Sequence, residues 1–313
     1  MTQLRPGSGA APTGEAAIAA FVDDLATKRQ PSGYRTSANT LRNYRLAVEA
    51  VLDLAAPVSE LDDDQAAARL RAAIRERWSS KAASTWNVKL AALRAFVTFA
   101  RDRGWIHGNP LDGIERAPEP KSESRARPRA AIDRLIHDHR RHSLRDRTLW
   151  ALLYSTFARV EELLALDVEK LDLRNRQATV KRKGGAPDLV SWDVPTARLL
   201  ARLVGDRTRG PVFLTSRAAK GASKGTVNAA DLDPETDRGR LGYDQALKNL
   251  RDATSGWTPH DLRHSGMTHA SEDGVDVTIL MVKSGHQDIR SLARYTRPSV
   301  EAAQRIVDNA RRH

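Results

Sequence analysis

In this chain His260-Asp-Leu-Arg263 is followed by Ser284-Gly-His286 and, nine residues on, by Tyr295. Two imidazoles, a guanidinium and a phenol are the groups an enzyme would gather around a DNA phosphate if its nucleophile were a tyrosine. Upstream stand Arg159, with Glu162 three residues on, and Lys183 beside Gly184-Gly185. Two forked guanidinium groups can neutralise the non-bridging oxygens of a phosphodiester, and a lysine can protonate a leaving oxygen. The set describes strand-transfer chemistry on nucleic acid.

Taken singly, each residue has an ordinary reading. A His-x-x-Arg on a helix is usually a surface pair, and Arg159 with Glu162 an intrahelical salt bridge. Lys183 at a hairpin tip would be a solvated turn lysine, His286 after Gly285 would close a turn, and Tyr295 would anchor a loop as a half-buried aromatic. Two local features count against so plain an account. Thr258-Pro259 would start a helix and place His260 and Arg263 on one face. Arg159 follows Thr156-Phe157-Ala158 in a largely apolar stretch, where an arginine must be paired or functional.

The rest of the chain must position these groups. Its 313 residues suffice for two domains, each with its own core. The formal net charge of +12 is spread along the chain, so the expected partner is a long polyanion touched over a wide surface, and nucleic acid fits best. No segment has the form of a basic amphipathic membrane helix, a signal peptide or a membrane span. Cysteine is absent, which excludes disulfides and thiolate metal sites. The expected location is the cytoplasm, in a bacterium the nucleoid.

Residues 1–13 read as a flexible start. Ile18, Phe21, Val22 and Leu25 then recur at helical spacing, as do Leu41, Tyr44, Val48, Val51 and Leu52 after the candidate caps Ser37 and Asn39. A third helix is expected from Leu61 to about Arg77, and a fourth from near Ser84 to Gly104. Asn109-Pro110 marks the end of this helical domain, taken as 14–112. Residues 113–129 read as an exposed basic linker able to lie along phosphates, because Ala117 to Arg129 holds almost no apolar residue. The second domain, 130–313, opens with helical segments from Ile132 to Leu166, broken near His142. Ala178–Val180 and Leu189–Trp192 read as two strands joined by the turn that carries Lys183, and Val212–Leu214 as a third strand or a short buried run. Ser216–Gly242, with Asp231-Leu-Asp-Pro-Glu235, is the segment expected to be mobile. Helices resume from about Tyr243, and Val300, Ala303, Ile306, Val307 and Ala310 form one apolar stripe on a terminal helix.

Thr156-Phe-Ala-Arg159-Val-Glu-Glu162-Leu-Leu-Ala-Leu166, Lys183-Gly184, His260-Asp-Leu-Arg263-His-Ser265, Ser284-Gly-His286 and Tyr295-Thr296 together resemble the tyrosine recombinase family, also called the phage integrase family. Asn39-Thr-Leu-Arg-Asn-Tyr44 and Thr85-Trp-Asn-Val-Lys-Leu-Ala-Ala-Leu-Arg-Ala-Phe96, followed by Gly104-Trp-Ile-His-Gly-Asn-Pro110, resemble its core-binding domain. The resemblance covers nearly the whole chain apart from the first dozen residues and Ser216–Gly242. Two positions depart from the family pattern: Phe157-Ala158 stands where glycine and a hydrophobic residue usually precede the first arginine, and Ser284 stands where leucine is common. The resemblance implies a mainly α fold of two domains. The first is a helical core-binding, SAM-like domain, and the second an α+β catalytic domain with a small antiparallel sheet.

The chemistry assigns roles to the six residues. An enzyme must lower the barrier to phosphodiester attack by ~15 kcal/mol or more. Arg159 and Arg263 would grip the phosphate oxygens and His286 would donate a third hydrogen bond, in place of a metal ion. A tyrosine with a pKa near 10 is only about 0.1% ionised at pH 7. His260 is therefore the candidate proton acceptor for Tyr295, the nucleophile, and Lys183 the candidate acid for the leaving 5′ oxygen. Glu162 would orient Arg159 or another catalytic cation. The product would be a 3′-phosphotyrosyl link that a 5′-hydroxyl can reverse without ATP.

This makes the expected protein a site-specific DNA recombinase with no cofactor. Without an added arm-binding domain it looks closer to Xer-type enzymes that resolve chromosome or plasmid dimers than to large phage integrases. A phage or mobile-element integrase, a type IB topoisomerase-like strand relaxer and a catalytically impaired DNA-binding protein of the same fold are the alternatives. The expected partner is double-stranded DNA, embraced by the two domains as a clamp. Candidate contacts are Arg42, Lys89 and Arg94 in the first domain, with Lys121, Arg125, Arg127 and Arg129 in the linker. Recombination needs four protomers, a homo- or hetero-tetramer joined through the terminal helix, and a partner recombinase or activating protein is a further candidate.

Overall fold

The computed structural model describes residues 11–28, 35–119, 126–182, 185–218, 228–286 and 292. The chain divides into two compact units, Met1–Lys121 and Ser122–His313.

Among the described residues the first unit holds four α-helices: α1 (Gly14–Thr27), α2 (Ala38–Glu49), α3 (Asp64–Trp78) and α4 (Ala83–Asp102). Side chains of Thr13, Ser37 and Asp63 cap the first three by accepting from free amides of the opening turn. Ser37 alone caps α2, and Asn39 lies inside the helix. Leu61 belongs to a separate 3-10 turn, Val58–Asp62, so the third helix begins later than its apolar spacing suggests. The core is built on Phe21, whose ring lies 5.6 Å from Phe96 and 5.5 Å from Phe99, with Ile18, Val48, Ile74, Leu90 and Leu93 around it.

This unit does not stop at Pro110, and the linker expected from residue 113 does not begin there. Leu111 and Ile114 are buried in the same core. Asn87 exchanges both amide hydrogen bonds with the backbone of Ala117, at 2.9 Å each, and the Trp86 indole donates to the Glu115 carbonyl at 2.8 Å. Two apolar residues in a proline- and glycine-bearing stretch carry no periodicity, so only packing reveals them.

The second unit centres on α6 (Leu144–Thr156), in which Leu149, Trp150, Leu152 and Leu153 are all enclosed. From Leu149 to Leu153 every position is apolar, so this stretch of the helix is apolar on every side and belongs in the middle of a core. Around it lie α5 (Arg129–His137), α7 (Val160–Leu164), α8 (Val194–Val204), α9 (Tyr243–Thr254), α10 (Pro259–Glu272) and α11 (Val277–Ser284). The expected helical run to Leu166 is interrupted a second time: α6 stops at Thr156, Phe157 takes the left-handed conformation at φ 57°, and α7 restarts at Val160.

Strands β1 (Leu171–Asp172), β2 (Gln177–Lys181) and β3 (Pro187–Ser191) form an antiparallel sheet, with Thr179 opposite Leu189. The expected hairpin is present, and Lys183 with Gly184 at its turn lies outside the described residues. Val212 and Phe213 are buried, and β4 (Leu214–Ala218) pairs with β5 (Arg238–Arg240) in a second small sheet. Within the segment read as mobile, residues 216–218 belong to β4 and residues 238–240 to β5. Asp233 is enclosed and accepts the Thr236 hydroxyl at 2.5 Å, while Arg240 bonds Asp231 and Asp167 at 2.6 Å each. The apolar stripe from Val300 to Ala310 falls outside the described residues, and among them no helix is long and apolar enough to cross a membrane.

Candidate active site

Helix α10 starts where Thr258-Pro259 requires. The Asp261 carboxylate accepts from the Thr258 amide at 2.8 Å and its hydroxyl at 3.0 Å, while Thr258 accepts from the Asp261 amide in return, a closed capping box. Burial pushes the Asp261 carboxyl up, but hydrogen bonds from Thr258 and the charge of Arg127 outweigh it and hold the group below its ordinary range. This start leaves His260 exposed in the first turn and carries Arg263 into the interior.

Arg263 reaches two main-chain carbonyls from distant segments. One η nitrogen donates to Phe157 and the other to Ser284, the latter at 3.0 Å. The left-handed turn at Phe157 is what aims its carbonyl at the arginine. It also presses the Phe157 ring against α10 at Gly266, where an added Cβ would lie 2.9 Å from the ring. The ring packs with Met267, Leu280 and Leu292, and the Lys283 ammonium sits 5.1 Å above it. Burial pushes the Lys283 amine down.

Arg159 is the residue before α7. Its amide and its guanidinium both donate to Glu162, at 2.8 and 2.9 Å. The intrahelical pair is thus real, but Glu162 has a second cation. Glu162 Oε2, which takes the Arg159 amide, also accepts from Arg182 Nη1 at 2.9 Å, in a pair whose side chains are only 8% and 5% exposed. Arg182 also donates to Asp188 at 2.8 Å and to the carbonyls of Ser284 and Lys283 at 3.3 and 3.2 Å. Helix α11 ends there because Gly285 adopts φ 67°, and any Cβ at this position would meet Arg182 Nε at 2.5 Å. Beyond it, His286 Nδ1 lies 2.6 Å from the Ser284 hydroxyl.

Arg159, Glu162, Arg263 and His286 are therefore brought into one hydrogen-bonded network through Arg182 and Ser284. His260 stands three residues before Arg263 at the exposed start of α10. Lys183 and Tyr295 lie outside the described residues; their described neighbours are Arg182, immediately before Lys183, and Leu292, which is buried in the Phe157 cluster. Arg182 was missed by the sequence reading, although a signal was available. Strand β2 buries Ala178 and Val180 and exposes Thr179 and Lys181, so alternation puts Arg182 on the inward face, where a charge needs partners.

The candidate DNA contacts divide. Arg42 is exposed on α2 and Lys89 is half-buried on α4. Arg94 is committed in part, donating to the Ile114 carbonyl at 2.9 Å. Lys121 and Arg125 fall outside the described residues. Arg127 and Arg129 both have partners within the chain. Arg127 donates its amide to Ser265 at 2.8 Å, lies 3.4 Å from Asp261 and stacks 5.2 Å above Trp257. Arg129 holds Asp273 with two bonds and the His269 carbonyl with a third. These guanidinium groups fasten the chain to α10.

The phage integrase family profile matches residues 128–302, and the profile of the phage integrase N-terminal SAM-like domain matches 18–104. The chain is 30% identical over 302 residues to tyrosine recombinase XerD of Mycobacterium leprae, covering 86% of this chain and 90% of that one. It is 30% identical over 314 residues to tyrosine recombinase XerD of Mycobacterium tuberculosis, covering 91% and 94%. In fold it is similar to a lambda integrase (75–356) dimer bound to a COC′ core site, with TM-score 0.66, 15% identity and coverage of 92% and 97%. A Tn1549 transposon integrase in complex with a circular intermediate DNA aligns with TM-score 0.65 at 15% identity, covering 95% and 99%. The chain belongs to the phage integrase family, the tyrosine recombinases.

Proposed function

We propose that this protein cuts and rejoins double-stranded DNA at specific sites through a 3′-phosphotyrosyl intermediate on Tyr295, as an Xer-like enzyme of chromosome or plasmid dimer resolution acting in the cytoplasm. The observation that carries the reading is the chain of bonds from Arg263 through the Ser284 carbonyl, Arg182 and Glu162 to Arg159. Four segments far apart in sequence converge on it, and buried carbonyls and a carboxylate orient guanidinium groups that a structural role alone would leave to surface pairs.

In this reading Arg159 and Arg263 neutralise the non-bridging oxygens as charge builds in the pentacoordinate transition state. His286 donates a third hydrogen bond, and His260, exposed at the first turn of α10, takes the phenol proton of Tyr295. Lys183 delivers a proton to the departing 5′ oxygen, and Glu162 keeps Arg159 in place. Tyr154 is a poor rival nucleophile. Burial pushes its phenol up, and its oxygen is paired with His269 Nδ1 at 2.8 Å. Exchange between two duplexes uses four protomers, two per site, coupled through the terminal helix, and both units of the chain supply phosphate contacts.

The names of the two mycobacterial relatives support the Xer-like assignment. The test is to capture DNA covalently attached to Tyr295 in cells, sequence it, and place two copies of the recovered site on one plasmid. Resolution products support the proposal. Relaxed topoisomers alone would mean a topoisomerase, and a gel shift without covalent adduct a DNA-binding protein. Tyr295→Phe should abolish the adduct and leave binding intact.

A further inference from the structure

We propose that Ser284 is a positioning residue: its hydroxyl holds the His286 imidazole with a proton on Nδ1 and so commits Nε2 to the DNA phosphate. The inference rests on the phosphate-binding role of His286 proposed above.

Ser284 closes the last turn of α11 and is 0% exposed. Its hydroxyl oxygen lies 2.6 Å from the Leu280 carbonyl oxygen, one turn back, and 2.6 Å from His286 Nδ1. A hydroxyl has one proton and two lone pairs, and a carbonyl oxygen has no proton to give. Two oxygens so close are repulsive unless the proton lies between them, so the hydroxyl donates to Leu280. What remains for Nδ1 is a lone pair, and only an imidazole carrying hydrogen on Nδ1 can use it. Which ring nitrogen of a histidine is protonated follows from the hydrogen bond made by the other one, and here the assignment leaves Nε2 as the nitrogen that gains or loses a proton.

The same residue is gripped from the other side. The Ser284 carbonyl accepts from Arg263 Nη2 at 3.0 Å and from Arg182 Nη1 at 3.3 Å. Gly285 then turns the chain so that the imidazole folds back over the helix end. Ser284 therefore ties the direction of Arg263 to that of His286 through one peptide unit, with its backbone serving the arginine and its side chain the histidine.

A neutral ring in this form would point an Nε2 lone pair at a phosphate oxygen. His286 therefore meets the phosphate as imidazolium, giving a charge-assisted bond, and the Ser284 acceptor favours that cation because hydrogen bonding to the charged form stabilises it. Arg182, Arg263 and Lys283 stand around the same helix end and oppose the second proton, with Glu162 the carboxylate of the network. The phosphate's own charge supplies what the ring needs.

The test begins without DNA. The full chain labelled with 15N-histidine is examined by long-range proton–nitrogen correlation, which distinguishes Nδ1–H, Nε2–H and doubly protonated rings, and His286 is identified as the signal lost in His286→Gln. The wild-type protein should show the Nδ1–H pattern when neutral, Ser284→Ala should lose it, and Ser284→Thr, which keeps the hydroxyl, should retain it. An Nε2–H pattern in wild type overturns the proposal whether or not either variant folds, as does a Ser284→Ala spectrum identical to wild type. With DNA recovered from the Tyr295 trap, Ser284→Ala should slow adduct formation roughly tenfold, the range seen when a ligand-orienting partner is removed, at unchanged DNA binding. An altered tautomer with an unaltered rate would overturn the catalytic part. If wild type forms no adduct on any recovered DNA, the recombinase reading fails while the ring assignment stands on its spectrum.

Discussion

Arg182 and Glu162 meet at 2.9 Å with both side chains almost wholly enclosed, and this pair joins the β2–β3 hairpin to the helix that Arg159 opens. One carboxylate oxygen takes the Arg159 guanidinium and the other takes both the Arg159 amide and Arg182, and the Arg182 guanidinium extends to the carbonyls that end α11. One buried cation thus fixes the relation between the segments carrying Arg159, Lys183 and His286.

Replacing Arg182 by methionine leaves Glu162 enclosed with one cation instead of two and removes the guanidinium from the Lys283 carbonyl, while the Ser284 carbonyl keeps Arg263. Loss of one partner of a buried pair costs about 3–5 kcal/mol. Urea unfolding of Arg182→Met should show a destabilisation of that order. Adding Glu162→Gln to it should cost less than Glu162→Gln does alone, because the two residues share one interaction.

Phe157→Gly is expected to destabilise although it removes a left-handed phenylalanine. Relief of the left-handed backbone is worth about 1–2 kcal/mol. Emptying the space of an enclosed aromatic ring costs about 3–5 kcal/mol, so packing wins. The urea midpoint should fall, and a rise would show that the ring's contacts with Met267, Leu280 and Leu292 contribute little.

Glycine to alanine inside a helix ordinarily stabilises by up to about 1 kcal/mol. At Gly266 the sign should reverse. The added methyl would lie 2.1 Å from the Tyr154 carbonyl oxygen and 2.9 Å from the Phe157 ring, so α6 and α10 must move apart. A lowered thermal midpoint for Gly266→Ala is the expected outcome, and an unchanged one would mean that the two helices are not in such close contact.

Acid should weaken the second unit in two stages. Burial, then the charge of Arg129, hold His269 below its ordinary 6.5, so the unfolded chain binds the proton first and stability falls as pH drops below 6.5 toward the folded value. Asp261 is held below its ordinary 3.8, so its contribution is present above that value and is lost as pH falls further. His269→Gln should flatten the first limb of stability against pH and leave the second, which titration of urea midpoints between pH 8 and 3 would reveal.

Most of the fold was legible where periodicity is strong. The four described helices of the first unit and the hairpin at 177–191 follow from spacing 3.6 and spacing 2, the start of α2 from Ser37 and that of α10 from Thr258-Pro259. The failures share a cause. Leu111 and Ile114, the strand at Arg240 and the break at Phe157 are held by contacts with residues far along the chain, to which a local window is blind. The bonds of Arg127 and Arg129 to α10 are invisible in the sequence for the same reason, since a basic run has one appearance whatever its charges face.

The sequence by itself determined the chemical inventory and the family, because the identity and order of Arg159, Lys183, His260, Arg263, His286 and Tyr295 are properties of the linear chain. Only the tertiary structure decided what holds the described members of that set in place. The groups that orient Arg263 are main-chain carbonyls, those of Phe157 and Ser284, and a carbonyl is the same at every position until backbone geometry aims it. Phe157 and Ser284 look from sequence like departures from a pattern; in the fold, one directs Arg263 and the other stands between Arg263 and His286.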